Sequence, residues 1–467
     1  MKARISYLLV VAIAIYLTIL PTSNNYFLFP MLASLATWSA VVGIRSRYKL
    51  NPIWIPLIIS WLVFVLFGIS VALFNQVEYW PRVLVFLLIW PSVFSLIAFG
   101  AKPRIIKPFF TGGAIASIGI SLLAITDSIV SQFVAPFALP AWLRSPFFLR
   151  HVLDSGQNYA YSSLFIPPLI FWSTIWFASL TLNTKSQFLP KNYVRIIAAV
   201  LTFSALVVSW RRGAILAVVI VVFLMLCIQL IMLAFSRNSV KTPQVIAVSL
   251  LSASLLAGLL ISVPLQRQLW HFLPGIKSTS SNVHVINSNE IYAQNNIELE
   301  PTSGGTNSTP SAGNGTIEQD ISTSDSLRKN ELRYLTTWQN PTQLIFGRGI
   351  GAPIDRGFAI RDMKPWQTEL QYFSLFYWTG ILGLFLFIAV LYFAIRVFVH
   401  ALRNAGELRP ILHITAAGSL AILIANATNP YLQAPGHMLG MFLPIIVANI
   451  VFSSVASKNT EARKSMK

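Results

Sequence analysis

The sequence predicts an all-α polytopic membrane protein, with about twelve transmembrane helices and one large outer loop before the tenth. Three observations carry that prediction. Apolar residues make up 55% of the 467-residue chain and charged residues only 10%, where a soluble domain carries about 25% charge. The apolar residues come in runs long enough for membrane helices, not in the short alternating segments of a membrane barrel. Lys and Arg concentrate in every second gap between the runs, which is the pattern of the positive-inside bias.

The runs lie near 5–20, 26–43, 53–74, 83–99, 109–130, 159–181, 194–210, 213–235, 244–264, 368–398, 411–428 and 436–456. A helix needs roughly 20 residues to cross the hydrocarbon. The first run follows Met1-Lys-Ala-Arg, as in a signal peptide. Ile19-Leu-Pro-Thr-Ser-Asn-Asn then stands where a small-x-small cleavage site would be, and the second run begins at once. It reads as an uncleaved first span.

Charge sets the orientation. With the amino terminus inside, the inner segments hold Lys2 and Arg4; Arg45, Arg47 and Lys49; Lys102, Arg104 and Lys107; Lys185, Lys191 and Arg195; Arg237 and Lys241; Arg396, Arg403 and Arg409; and Lys458, Arg463, Lys464 and Lys467. These are 20 of the 34 cations, offset only by Glu407 and Glu461. Both termini are therefore expected in the cytoplasm. The net charge of +19 is a membrane signal and leaves no nucleic acid to explain; anionic lipid headgroups are the natural partner. The single cysteine, Cys227, lies in an apolar run and excludes an internal disulfide.

Three regions follow: 1–264 with spans one to nine, a large outer loop over 265–367, and 368–467 with spans ten to twelve and an inner tail. The loop's middle, 278–326, is rich in Ser, Thr, Asn and Gly and nearly free of aromatics. Such a composition cannot bury a core, so a mobile segment is expected. From about 327 aromatics and cations return. A shorter outer loop near 131–158 carries His151 and Asp154, and Asp127 falls late in the fifth run.

Candidate chemistry lies at the outer face. Arg211 and Arg212 sit in Ser209-Trp-Arg-Arg-Gly-Ala214. They either snorkel to headgroups from a tight hairpin or clamp an anion, since guanidinium grips phosphate through paired hydrogen bonds. Arg333 follows Glu331 and either pairs with it or binds substrate. Arg348 lies in Gly347-Arg348-Gly349-Ile350-Gly351, which is either a plain turn or a set of backbone N–H groups aimed at phosphate. Arg356 and Arg361 add charge beyond the turn. Glu369, in Pro365-Trp-Gln-Thr-Glu369, is expected at the outer end of the tenth span. There it complements the helix dipole or accepts a proton from an attacking hydroxyl. Asn429-Pro-Tyr431 breaks the chain between the last two spans, with His437 just after. The six histidines are scattered and form no ligand cluster, so no metal is expected.

Taken together, Ser209-Trp-Arg-Arg-Gly-Ala214, Arg333 with Trp338, Phe346-Gly-Arg-Gly-Ile-Gly351 and Gly380-Ile-Leu-Gly383 resemble the bacterial O-antigen polymerase and O-antigen ligase superfamily. The resemblance is strongest over 200–400 and rests mainly on topology elsewhere. It implies a GT-C-like membrane glycosyltransferase in the bacterial inner membrane with a periplasmic site. It implies no nucleotide sugar, no metal and no other cofactor. The donor would be a glycan on undecaprenyl pyrophosphate. Arg212 matches the arginine of the family's Ser-x-Arg-Gly motif, and Arg333 matches the loop arginine. Arg212, Arg333 and Glu369 are then the expected catalytic set. Arg211, Arg348, Arg356, Arg361, Asn429 and Tyr431 are the expected substrate contacts. Ligases carry a histidine where the large loop meets the next helix; this chain has Trp366-Gln-Thr-Glu369 there, which favours the polymerase branch. A ligase acting on lipid A–core and a lipid-linked oligosaccharide flippase remain the alternatives. A chain-length regulator and a flippase are the partners that the resemblance implies.

Overall fold

The computed structural model describes residues 2–19, 28–45, 50–133, 160–182, 186–208, 212–235, 328–338, 340–354, 366, 368, 370–427 and 435–465. No strand occurs among them. The first helices are α1 (Lys2–Ile19), α2 (Leu28–Arg45), α3 (Trp54–Phe74), α4 (Trp80–Leu84) and α5 (Trp90–Gly100). After them come α6 (Ile106–Phe133), α7 (Ala160–Thr181), α8 (Asn192–Val208) and α9 (Arg212–Phe235). A helix over 328–336, here α10, precedes α11 (Pro341–Phe346), α12 (Gln371–Asn404), α13 (Arg409–Ala425) and α14 (Pro435–Ser465).

Five stretches are long and apolar enough to cross a membrane: Trp54–Phe74, Trp80–Gly100, Pro103–Ile125, Gln371–Asn404 and Gly406–Ala425. Six shorter apolar helical stretches, in α1, α2, α7, α8, α9 and α14, coincide with further expected spans. The ninth expected span, 244–264, and the 278–326 segment lie outside the described residues. The outward residues of α3 and α12 are apolar, among them Leu66, Phe385, Tyr392 and Ile395. Such a surface belongs in hydrocarbon.

Small residues let the helices close on one another. Gly43 and Gly100 bring α2 against α5, where an added Cβ would collide with Phe99 or with the Ser39 backbone. Gly112 lets α6 approach the Val11 carbonyl of α1. The core centres on α7. Its Trp172 and Trp176 stack with centroids 5.3 Å apart, and each buried indole finds an acceptor. Trp172 Nε1 donates to Thr18 Oγ1 of α1 at 3.2 Å, and Trp176 Nε1 donates to Ser117 Oγ of α6 at 3.2 Å. Three helices are tied through two rings.

The fourth expected span is one path made of α4, a π-helical turn (Val85–Ile89) and α5. Proline supplies no N–H to the helix ladder, so Pro91 leaves the Leu87 carbonyl without its usual i+4 donor. Trp61 of α3 fills the position, its Nε1 donating to Leu87 O at 2.9 Å.

The bundle has a basic end. Ala101, Ile106, Ala405 and Leu408 share one core cluster there with Trp54. Gln187 donates to Glu407 at 3.3 Å across two loops. Lys102, Arg104, Lys107, Lys191, Arg195, Arg403 and Arg409 all fall in these segments. Arg195 is buried, with Nη1 donating to the Ser179 carbonyl at 2.9 Å near the end of α7. A cation there complements the helix dipole. Because α3 and α12 pack together and run antiparallel, the end of α3 meets the start of α12 at the opposite end. The candidate site lies at that opposite end.

Candidate functional site

The Gly-rich turn is built by a break in α12. Gly380 has φ 63° and ψ −165°, a conformation outside the helix basin, in the left-handed range of φ that glycine tolerates without a steric penalty. In an unbroken helix the carbonyls of Tyr377 and Trp378 would accept from residues four positions on. Here they accept from the turn instead. Arg348 N donates to Tyr377 O at 3.0 Å, and Gly349 N donates to Trp378 O at 2.8 Å. Gly347 N closes α11 on Gln343 O at 2.7 Å, and Ile350 N reaches Gly68 O of α3 at 3.4 Å.

Gly347, Gly349 and Gly351 all have positive φ. At Gly349 an added Cβ would lie 2.5 Å from the Ala72 Cα. The turn therefore needs glycine for both conformation and space. Its amides at 347–350 donate to protein carbonyls, so they are not aimed at a phosphate.

Around the turn lies an aromatic floor. Ala72, Val77, Val83, Leu335, Ile350, Ala352, Ile354, Trp366, Tyr377 and Trp378 form one buried cluster, edged by Tyr79, Trp80 and Tyr334. Trp378 Nε1 donates to Ala352 O at 3.2 Å, and Tyr377 Oη donates to Pro353 O at 3.2 Å. Trp338 lies edge-on to Phe376 at 5.1 Å. The floor thus joins α3, α4, α10, the turn and the first half of α12.

Arg348 is spent on this assembly. Its guanidinium lies over the Tyr377 ring at 4.8 Å and the Tyr334 ring at 5.9 Å. Nη1 donates to Tyr377 Oη at 3.2 Å, and Nη2 donates to Thr337 O at 3.1 Å. Thr337 follows α10 directly and binds back to it, its Oγ1 donating to Arg333 O at 2.6 Å. Arg348 therefore caps the carboxyl end of α10 with charge where the helix dipole is negative.

Arg333 differs. It is exposed on α10, while Glu331 and Leu335 face the interior of the same helix. Its guanidinium has no hydrogen bond or ion pair to a described residue, so pairing with Glu331 does not account for it. Lys329, one turn earlier, shares the exposed face.

The tenth expected span begins at Gln371, with Leu370 as its N-cap. Thr368 thus precedes the helix. Thr368 Oγ1 and Ser374 Oγ share a hydrogen bond, which fastens Thr368 to the start of the helix. Tyr372 Oη donates to the Leu423 carbonyl at 2.6 Å, so the start of α12 is also moored to the end of α13. Arg211, Arg356, Arg361, Glu369, Asn429 and Tyr431 lie outside the described residues, as do His151 and Asp154. Arg212 opens α9, and Asp127 and His437 lie on helices, but the side chains of all three are outside the description.

Arg82 is a residue that the charge pattern did not single out. It sits in α4, and its guanidinium lies 4.8 Å from the centroid of the Trp366 ring. Trp366 is 5% exposed and packs against Tyr79 at 4.9 Å. The only signal in the sequence was a cation beside Trp80-Pro81 at the end opposite the basic loops.

No known family model matches the chain, and no curated protein matches its sequence.

Proposed function

We propose that the chain is a polysaccharide polymerase of the inner membrane. It transfers a growing glycan from undecaprenyl pyrophosphate onto a lipid-linked repeat unit at the periplasmic face. The single observation that carries this reading is Arg333: an exposed guanidinium without a hydrogen-bond or ion-pair partner among the described residues, on a helix whose other face is fastened to the aromatic cluster. An arginine held this way is prepared to receive an anion, because its mounting is already fixed before the ligand arrives.

The chemistry follows from the leaving group. The acceptor sugar hydroxyl attacks the anomeric carbon of the donor. The bond from that carbon to the pyrophosphate oxygen breaks, and the electron pair leaves with undecaprenyl pyrophosphate. Arg333 and Arg212 balance the charge that develops on the phosphate oxygens. Glu369 accepts the hydroxyl proton. Arg348 acts behind Arg333 by holding the end of α10. The break in α12 is a feature that transporters also use, but here the freed carbonyls at 377 and 378 accept from the chain's own turn. That favours a fixed site over a moving one.

The test is a gel of surface glycans from cells lacking the protein, with and without the gene restored. A ladder that collapses to core plus one repeat, and returns on restoration, is the expected result. Polymer accumulating on its lipid carrier without reaching the core would mean a ligase. An unchanged ladder would remove the O-antigen reading.

A further inference from the structure

The end of α3 marks a level where hydrocarbon stops. Its 21 apolar residues, Trp54–Phe74, rise about 31 Å, which matches the roughly 30 Å core of a bilayer. The last two, Leu73 and Phe74, are 56% and 86% exposed. Asn75, Gln76 and Glu78 come next, and they are exposed polar residues. Tyr79 then packs 4.9 Å from Trp366, while Tyr334 and Trp338 gather beside Tyr377. Trp and Tyr collect at a membrane boundary because their rings are apolar and their tips polar.

The Gly-rich turn passes below that level. Gly349 lies against Ala72, and Ile350 N donates to Gly68 O at 3.4 Å. Gly68 precedes Phe74 by six residues, which places it about 9 Å inside the core by the helix rise. The chain then climbs back, with Gly351 against the Tyr79–Trp80 backbone. Irregular backbone is tolerated at membrane depth where protein groups satisfy it. Here they do: the amides of Arg348, Gly349 and Ile350 donate to the carbonyls of Tyr377, Trp378 and Gly68. Arg348 reaches back to the Thr337 carbonyl after α10, as a snorkelling cation does.

One side of the segment is apolar and exposed. α11 starts polar, with Asn340 Oδ1 accepting from Gln343 N at 2.8 Å. It ends on Ile345 and Phe346, which are 45% and 41% exposed. A Cβ added at Gly380 would lie 2.5 Å from the Ile345 carbonyl oxygen. Just past Gly380, Ile381, Leu384 and Phe385 are exposed apolar residues of α12. The end of α11 therefore continues the apolar outer surface of α12.

We propose that residues 341–351 form a re-entrant segment. It dips into the leaflet farther from the basic loops and seats Ile345 and Phe346 among phospholipid acyl chains. The occupant is lipid and not a second protein, because the pair extends the membrane-facing surface of α12 at a depth set by α3. The enclosure of Arg348 by two tyrosine rings is then the shielding that a cation needs so near hydrocarbon. Nothing in this placement depends on the reaction catalysed.

The test uses the full-length protein in liposomes of phosphatidylcholine and phosphatidylglycerol. Nitroxide labels are placed at Ile345→Cys and Phe346→Cys in a Cys227→Ser background. Phe385→Cys is the lipid reference and Lys329→Cys the water reference. Electron paramagnetic resonance reads collisions with oxygen and with a water-soluble nickel complex. Labels at 345 and 346 should behave as the Phe385 label does, with oxygen collisions exceeding nickel collisions severalfold. Nickel access equal to that of the Lys329 label would put α11 in water and overturn the proposal. Weak access to both reagents would mean that protein covers the pair, and would overturn it as well. Wild type supplies a check free of substitutions. Illuminated with a phosphatidylcholine that carries a photoreactive acyl chain, it should gain lipid adducts at Ile345 or Phe346 as well as on α3 and α12. Adducts on α3 and α12 with none on α11 would remove the re-entrant placement.

Discussion

Arg333 and Arg348 lie fifteen residues apart in one segment, and the structure uses them in opposite ways. Arg348 is enclosed by two tyrosine rings and donates to a carbonyl and a phenol. Arg333 stands exposed on the helix that Arg348 caps. The residue type and the sequence neighbourhood are alike; the difference lies in what the backbone puts beside each. The turn that carries Arg348 is docked into a helix break, so its side chain is surrounded. Arg333 is on the outward stripe of an amphipathic helix, so its side chain is available. An arginine near a glycine cluster is thus not by that fact a ligand. Here the glycines make the dock, and the arginine locks the neighbouring helix to it.

The largest expected effect comes from removing the dock. Gly349→Ala combines a positive φ, costing about 1–2 kcal/mol for a residue with a Cβ, with a 2.5 Å approach to the Ala72 Cα. Overpacking adds about 1–3 kcal/mol. The variant should lose most of its membrane abundance and melt well below wild type in a detergent thermal-shift assay. Wild-type abundance and melting would mean that the turn is not docked as described, and the contrast between the two arginines would lose its basis.

Arg333→Ala should do the reverse. Abundance and melting should stay at wild type, while polymer on the glycan gel falls by roughly a hundredfold, as for the loss of one transition-state charge donor. Arg333→Lys should not restore it if paired donation matters. Normal polymer from Arg333→Ala would sink the site assignment. Loss of abundance would instead make Arg333 a structural residue like Arg348.

Arg348→Ala should sit between them. It removes two donated bonds and a helix cap, and each hydrogen bond from a charged group contributes about 1.5–3 kcal/mol. Melting and polymer yield should fall together, while binding of undecaprenyl pyrophosphate by the protein that remains folded should be nearly unchanged. A selective loss of lipid binding at normal stability would place Arg348 with Arg333 as a direct contact and erase the distinction drawn here.

How far this site was legible in the sequence depends on the length scale. The helices were readable because apolar runs of membrane length have few other uses; α3 and α12 lie almost where the runs put them. That Arg333 and Trp338 fall at the end of the bundle opposite the basic loops was readable from charge alternation. The break at Gly380 was not. Gly380-Ile-Leu-Gly383 merely sets two small residues one helical turn apart, and nothing local states that the carbonyls at 377 and 378 would be taken by amides from a turn some thirty residues earlier. Arg82 on Trp366 was out of reach for the same reason: each is an ordinary interfacial residue alone, and only tertiary packing joins them. The use of Pro91 was half legible. Proline announces a missing N–H, but not that Trp61 supplies the replacement.

The smallest effect belongs to Tyr377→Phe, and it tests the brace in detail. The phenol accepts from Arg348 Nη1 and donates to Pro353 O, each at 3.2 Å. Its ring stays in the floor after the change, so packing and the cation–π contact survive. Net loss should be about 1 kcal/mol, a shift of a few degrees in melting. If the phenol works through Arg348, the double variant Arg348→Ala/Tyr377→Phe should cost less than the two single losses added, since the shared bond is removed only once. Strict additivity would mean that the two residues stabilise the turn independently. Arg348 would then brace the end of α10 through its Thr337 bond alone, with the packing of Leu335 and Tyr334 supplying the rest of the hold on Arg333.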